Sequence, residues 1–251
     1  MNKDLEFLHF SSKQELQALT DYIIKDKHGK LRLTEFLSSK LTYNLNYPDH
    51  LAIMWKDIAD ELSLFGGNTI LNYLSGHGTD YRTMLIELCK KTCTKFNKQD
   101  STPKIEEALL RTTLIMSLEK LNQKLLENML NEIKISHQKF SKHEMISVLK
   151  IAIERGAFPA HRIGEIVDNA ISIRLVGRGV AFATALNRSI YVLAGPLGWV
   201  IYAVLTITGP AYRVTFPAVV KIATMRSKLY YESGKSTAMK ERLMGGLTSG
   251  Y

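Results

Sequence analysis

The stretch SIYVLAGPLGWVIYAVLTITGPAYRVTFPAVVKIATMR, Ser189–Arg226, is the most apolar part of a chain otherwise dense in charge. Whether it enters a bilayer or fills the core of a helical domain decides the fold. From Ser189 to Tyr212, 24 consecutive residues carry no formal charge. A bilayer span takes about 20 residues, so length alone permits one. Two pairs, Gly195-Pro196 and Gly209-Pro210, interrupt the run and leave Leu197–Thr208 as its longest unbroken piece. Proline removes an i→i−4 hydrogen bond and collides with the preceding turn. At a rise of about 1.5 Å per residue that piece reaches roughly 18 Å, against a hydrocarbon core of about 30 Å. A single straight span is therefore not expected. Three arrangements stay open: a kinked span, a hydrophobic hairpin that inserts conditionally, and the buried centre of a soluble bundle.

The surrounding charge favours a membrane surface. Residues 1–155 carry 22 Lys/Arg against 20 Asp/Glu, whereas residues 156–251 carry 11 against 4. Between Asp168 and Glu232 there is no acid, but Arg174, Arg178, Arg188, Arg213, Lys221, Arg226 and Lys228 are all present. Cations beside an apolar run suit anionic lipid. Nucleic acid meets polar, Lys-rich faces more often than Val/Ile/Leu runs, so it is not favoured as a partner. Gly177, Ala181 and Ala185 repeat at small-xxx-small spacing, which lets helices approach closely in membranes and in soluble bundles alike.

The rest of the chain reads as helix. Ser12 and Glu15 stand at capping-box spacing, as do Ser141 and Glu144. Leu16, Leu19 and Ile23 share a face, and LRLTEFLSSKL is expected to add a second helix, closing a short hairpin over residues 1–44. Leu51, Trp55, Ile58 and Leu62 form another stripe, and a run from Tyr81 reads as an amphipathic helix. Thr102 reads as an N-cap with Pro103 at the first helical position of a long run to Ile133. Composition changes near Gly156-Ala157-Phe158-Pro159. The fold class is all-α: a multi-helix bundle with an N-terminal helical hairpin (1–44), a charged amphipathic body (45–155), an apolar basic helical region (156–231) and a flexible tail (232–251).

Site chemistry is sparse. In FGGNTILNYLSGHGTDYR, Phe65–Arg82, two glycine clusters bracket Asn68, His77, Asp80, Tyr81 and Arg82, a candidate polar pocket. The competing reading makes the glycines helix stops, with Thr79 as the next cap and Asp80 favouring its dipole. Their spacing matches no nucleotide-binding loop. Cys89 and Cys93 lie one turn apart, but a structural zinc site takes four ligands and no second pair exists. No metal, no cofactor and no enzymatic activity are expected.

The segments FGGNTILNYLSGHGTDYR and AGPLGWVIYAVLTITGPAYRVTFPAVVKIATMR resemble the YaaW-like family of uncharacterised bacterial proteins, whose pattern places Phe-Gly-Gly-Asn/Asp before a Gly-rich turn with Tyr-Arg. Near the C-terminus of that pattern, Gly-Pro-X-Gly precedes Gly-X-Ala-Tyr-Arg-Val-Thr-X-Pro-Ala-Val. Here these fall at Phe65–Asn68, Tyr81–Arg82, Gly195–Gly198 and Gly209–Val219. The resemblance implies no catalytic residue; it extends remotely to the ubiquinol–cytochrome c reductase assembly chaperones, through helical pattern rather than shared site residues.

The expectation is a non-enzymatic helical protein whose C-terminal region associates conditionally with membrane, the alternative being a soluble assembly chaperone or interaction module and a weaker one an enzyme with a site around His77, Asp80, Tyr81 and Arg82. The partner would be an anionic membrane surface or a protein. MNKDLEFLHF has no signal-peptide core, so a cytoplasmic chain, peripheral to or inserted in the inner membrane, is expected. In the membrane reading Gly195, Pro196, Gly209 and Pro210 set bends, Trp199 and Tyr212 sit at an interface, and Arg213 meets lipid phosphate.

Overall fold

Short polar side chains start the helices of this chain, and left-handed residues stop several of them. A computed structural model describes residues 3–26, 28–65, 78–175 and 212–247. Helix α1 (Lys13–Ile24) opens on a complete capping box between Ser12 and Glu15, and α7 (Lys142–Glu154) on the same device between Ser141 and Glu144. Asp80 caps α4 (Tyr81–Lys91) by accepting from the Thr83 N–H at 3.0 Å, so the cap is Asp80 and not Thr79. Ser101 rather than Thr102 holds the cap position of α5 (Thr102–Ser117), its backbone extended at φ −63° and ψ 153°. The run expected to continue to Ile133 divides: a 3-10 turn at Leu118–Lys120 ends α5, and Asn122 caps a new helix, α6 (Gln123–Glu132).

Three of these helices end alike. In α4, α6 and α7 a residue just past the last turn donates back five positions, Thr94 to Cys89, Ile135 to Leu130 and Ala157 to Ala152, at 2.8–3.0 Å. This Schellman closure needs a left-handed residue. Gly156 supplies it after α7 at φ 82°, but Cys93 (φ 54°) and Lys134 (φ 58°) supply it after α4 and α6. Side-chain-bearing residues adopt that conformation at a cost.

The second helix expected over LRLTEFLSSKL does not form. Lys25 and Leu31 instead make an isolated antiparallel bridge, and a 3-10 turn at Leu37–Ser39 follows. The backbone N–H groups of this segment find other acceptors: the Asp26 carboxylate takes those of His28 and Lys30, and the Glu61 carboxylate takes that of Phe36 at 2.9 Å. With these bonds made locally, the segment does not need helical ones. Short helix α2 (Leu41–Asn46) and α3 (Trp55–Leu64) come next. Among the described residues there is no β-strand.

The last two helices are α8 (Ala160–Leu175) and α9 (Tyr212–Leu247), and α9 is the axis of the fold. From Val214 to Met225 every residue of α9 except Lys221 is buried. A helix apolar on all sides must be enclosed, by lipid or by protein; here α1, α4, α5 and α8 enclose it. One hydrophobic core runs from Leu5 to Met225 and draws on residues 1–44, 45–155 and 156–231 alike. Helices α8 and α9 cross closely at Gly164, where a Cβ would stand 2.7 Å from Thr224 Oγ1 and 3.1 Å from its Cα. The backbone of 232–247, expected as tail, continues α9.

Three substitutions test these devices. Cys93→Gly and Lys134→Gly should each raise stability by about 1 kcal/mol through relief of left-handed strain, read as a higher urea midpoint at unchanged m. Gly164→Ala should lower it by roughly 1–3 kcal/mol, because the added methyl collides with Thr224 backbone atoms as well as its side chain.

Candidate functional site

An apolar helix with charges inside it obliges its neighbours to supply counter-charges, and α9 has two such positions. Arg226 is 6% exposed and Glu106 of α5 is 2% exposed. The arginine Nε donates to Glu106 Oε2 at 2.8 Å and a terminal nitrogen donates to the Asp4 carbonyl at 2.6 Å. The Tyr81 hydroxyl donates to the other Glu106 oxygen at 2.5 Å, and the Phe7 ring lies 4.1 Å beneath the guanidinium. Burial, with Glu106 beside it, pushes the Tyr81 phenol well up, so it remains a donor.

One turn back, Lys221 donates to Asp168 of α8 at 2.9 Å. The Tyr22 hydroxyl of α1 donates to the other Asp168 oxygen at 3.0 Å and also meets Ser172. Burial and the Asp168 charge push the Tyr22 phenol well up as well. This group floors a cleft of about 330 Å³ between α1, α8 and α9, whose rim carries the pair Glu15–Lys228 at 3.0 Å. Burial acts to raise the Glu15 carboxyl, but bonds from Ser12 and Lys228 outweigh it and hold it below the usual range. In both centres the ionised groups are turned on one another. The arrangement fastens α9 to three neighbours; it does not present an activated nucleophile.

Asp80, Tyr81 and Arg82 stand together in sequence and turn to separate partners. Asp80 caps α4, Tyr81 reaches Glu106, and Arg82 donates to Thr102 Oγ1 at 2.9 Å and to the carbonyls of Lys98 and Asp100 at 2.9 and 2.6 Å. Asn68 and His77 lie outside the described residues, as do Gly195, Pro196, Trp199, Gly209 and Pro210. Of the C-terminal candidates, Tyr212 is half-buried and Arg213 exposed. Cys89 is buried, with its thiol pushed up to about 12 by burial, and Cys93 is exposed. Among the described residues no group of three His, Cys, Asp or Glu is placed to hold a metal.

Glu106, Arg226, Asp168, Lys221 and Tyr22 were not legible as a set. The available signal was their isolation: Lys221 and Arg226 are the first charges after Arg213 in the apolar stretch that opens α9, and Asp168 is the last acid before a long acid-free tract.

The two centres also fix direction. Gly164 faces Thr224 and Asp168 faces Lys221, so α8 and α9 run antiparallel. Leu175 and Tyr212 therefore lie at the same end of the bundle; residues 176–211, which join them in sequence, lie outside the described residues. Arg213 at that end acts electrostatically on Arg32, in the turn after α1. Among the described residues no helix is long and apolar enough to cross a membrane.

Comparison with known proteins places these features in company. A family model described as a domain of unknown function, DUF3944, matches residues 2–33. A UPF0174 protein of Helicobacter pylori (strain J99) is 33% identical over 233 residues, covering 90% of this chain and 92% of its own. A second, from Helicobacter pylori strain 26695, is 31% identical, covering 78% and 99%. The UPF0174 protein YaaW of Escherichia coli K12 is 27% identical, covering 90% and 94%. No solved structure matches.

If the buried triad fastens α9, removing one member should cost more than removing all three. Glu106→Gln leaves Arg226 charged and buried, with an expected loss of about 3–5 kcal/mol. The triple replacement Tyr81→Phe, Glu106→Leu, Arg226→Met should lie closer to the parent in urea unfolding.

Proposed function

We propose, for a chain that belongs to the UPF0174 protein family, that it is a non-enzymatic helical protein whose C-terminal region associates conditionally with an anionic membrane. The observation that carries this reading is that α8 ends and α9 begins at one end of the bundle. Residues 176–211, which join them in sequence, contain no acidic residue. Interfacial binding draws on apolar area and on cations near the headgroups. The segment offers both, with Arg213 at the point of return.

Conditional association fits the way the bundle treats its own basic tract. Lys221, Arg226 and Lys228 are engaged by Asp168, Glu106 and Glu15, so the helices stay closed while residues 176–211 engage lipid. Within that segment Gly195, Pro196, Gly209 and Pro210 set bends and Trp199 lies at the headgroup level, with Tyr212 and Arg213 beside it. The place of action is the cytoplasmic face of the inner membrane.

A soluble interaction module is the second reading. Leu41 and Leu45, one turn apart on α2, and Ile53 nearby in sequence are all largely exposed, a face suited to another protein's helix. An enzyme built on His77, Asp80, Tyr81 and Arg82 has less support, because its described members diverge.

Vesicle co-sedimentation separates the first two readings. The full chain should sediment with phosphatidylglycerol-containing vesicles and not with phosphatidylcholine alone. Leu205→Asp, which costs about 2.5–3.5 kcal/mol at the centre of an apolar segment, should weaken that binding strongly. A chain that stays in the supernatant with anionic vesicles at low salt ends the membrane reading.

A further inference from the structure

Resting on the membrane reading, the structure assigns a specific lipid-docking surface outside the apolar segment itself: Arg32 and Arg213 together receive a lipid phosphate, while Leu31 and Leu33 enter the adjoining apolar layer. The four residues come from two distant parts of the chain, the turn after α1 and the first turn of α9. Glu15 meets Lys228, and Tyr22 and Lys221 share Asp168, so α1 runs antiparallel to α9 and the turn after α1 lies at the end of the bundle where α9 begins.

The case begins with an electrostatic deficit. Arg32 is half-buried, and its Nε is buried without a hydrogen-bond partner among the described residues. Burial holds its guanidinium below the usual range, Asp26 opposing and Arg213 adding to the effect. Two like charges within electrostatic reach, one of them partly desolvated, cost free energy that an anion between them would remove.

The described residues offer no carboxylate for that place. Among the described residues no carboxylate lies within ion-pair distance of Arg32 or Arg213. Asp26, which acts on Arg32, already accepts from the backbone N–H groups of His28 and Lys30. Glu87, which acts on neighbouring Tyr212, makes no ion pair with either arginine. Segments 66–77 and 176–211 contain no Asp or Glu. Glu241 stands 28 residues beyond Arg213 on α9, about 42 Å along the helix axis. Among the described residues nothing supplies the missing charge, and an anion from outside the chain would.

The flanking residues select the source. Leu31 is 54% exposed and Leu33 102% exposed, on either side of Arg32 in sequence. A free phosphate has no use for two exposed leucines, whereas a phospholipid surface presents phosphate and hydrocarbon within a few ångströms of one another. A guanidinium pair also fits a phosphodiester better than ammonium groups do, because each fork can donate two parallel bonds.

The test uses the full chain with residues 176–211 intact and vesicles of phosphatidylglycerol in phosphatidylcholine. The double variant Arg32→Gln/Arg213→Gln should lower the partition coefficient by roughly tenfold or more at low salt, with a smaller effect at high salt. Leu33→Ser, at a position whose side chain touches nothing that folding needs, should also bind more weakly at unchanged Tm. If the parent binds and both variants bind as well as it does, the docking surface is overturned while the membrane reading stands. If the parent does not bind, both fall together. If millimolar inorganic phosphate raises the Tm of the parent but not of the double variant, and vesicles are not bound, the site takes a free anion and the lipid assignment is overturned.

Discussion

The architecture depends on a helix that has no face for water. Between Val214 and Met225 the side chains of α9 meet protein on all sides, so its neighbours must match both its volume and its charges. Apolar packing supplies most of the attraction but little direction, since valine and alanine tolerate sliding. The Glu106–Arg226 and Asp168–Lys221 pairs supply direction. A one-turn slip of α9 would move each cation about 5 Å from its carboxylate and strand both charges in the core. Register is thus set by a few polar atoms inside a large apolar contact. The close crossing at Gly164 and Thr224 fixes the same register sterically.

The parts of the fold that are local were legible in the sequence. Capping boxes at Ser12 and Ser141 depend on residues three apart, and the apolar spacing of Leu16, Leu19 and Ile23 is complete within one helix. The parts that were not legible depend on distant residues. LRLTEFLSSKL has helical composition, but Asp26 and Glu61 capture its backbone N–H groups, and nothing within the segment announces the second of these. The cap of α4 fell one residue from its expected place because Asp80, more than Thr79, combines extended backbone with a carboxylate in reach of Thr83. The polar centres were harder still. Glu106 looks like an ordinary first-turn acid until Arg226, 120 residues away, is brought to it.

The same point changes the meaning of the basic C-terminal half. A charge count treats each cation as surface, but Lys221, Arg226 and Lys228 are turned inward and neutralised by acids from earlier helices. Arg213, by contrast, is exposed and has Arg32 as company rather than a carboxylate. Which cations face outward is therefore decided by the fold. Net charge alone misses it.

The contacts made by Arg226 and Lys228 also set an order of events. Arg226 closes on Asp4 across 222 residues of chain and Lys228 closes on Glu15 across 213. Helices α1, α4, α5 and α8 are synthesised before the element that fills the space between them. Until residues past Lys228 have been made, those helices share an unfilled apolar slot, and the long loops that bring the ends together must be closed last. Nascent chains of this architecture expose hydrophobic surface for nearly the whole of their synthesis. Folding here is a terminal event, completed by a single helix sliding home.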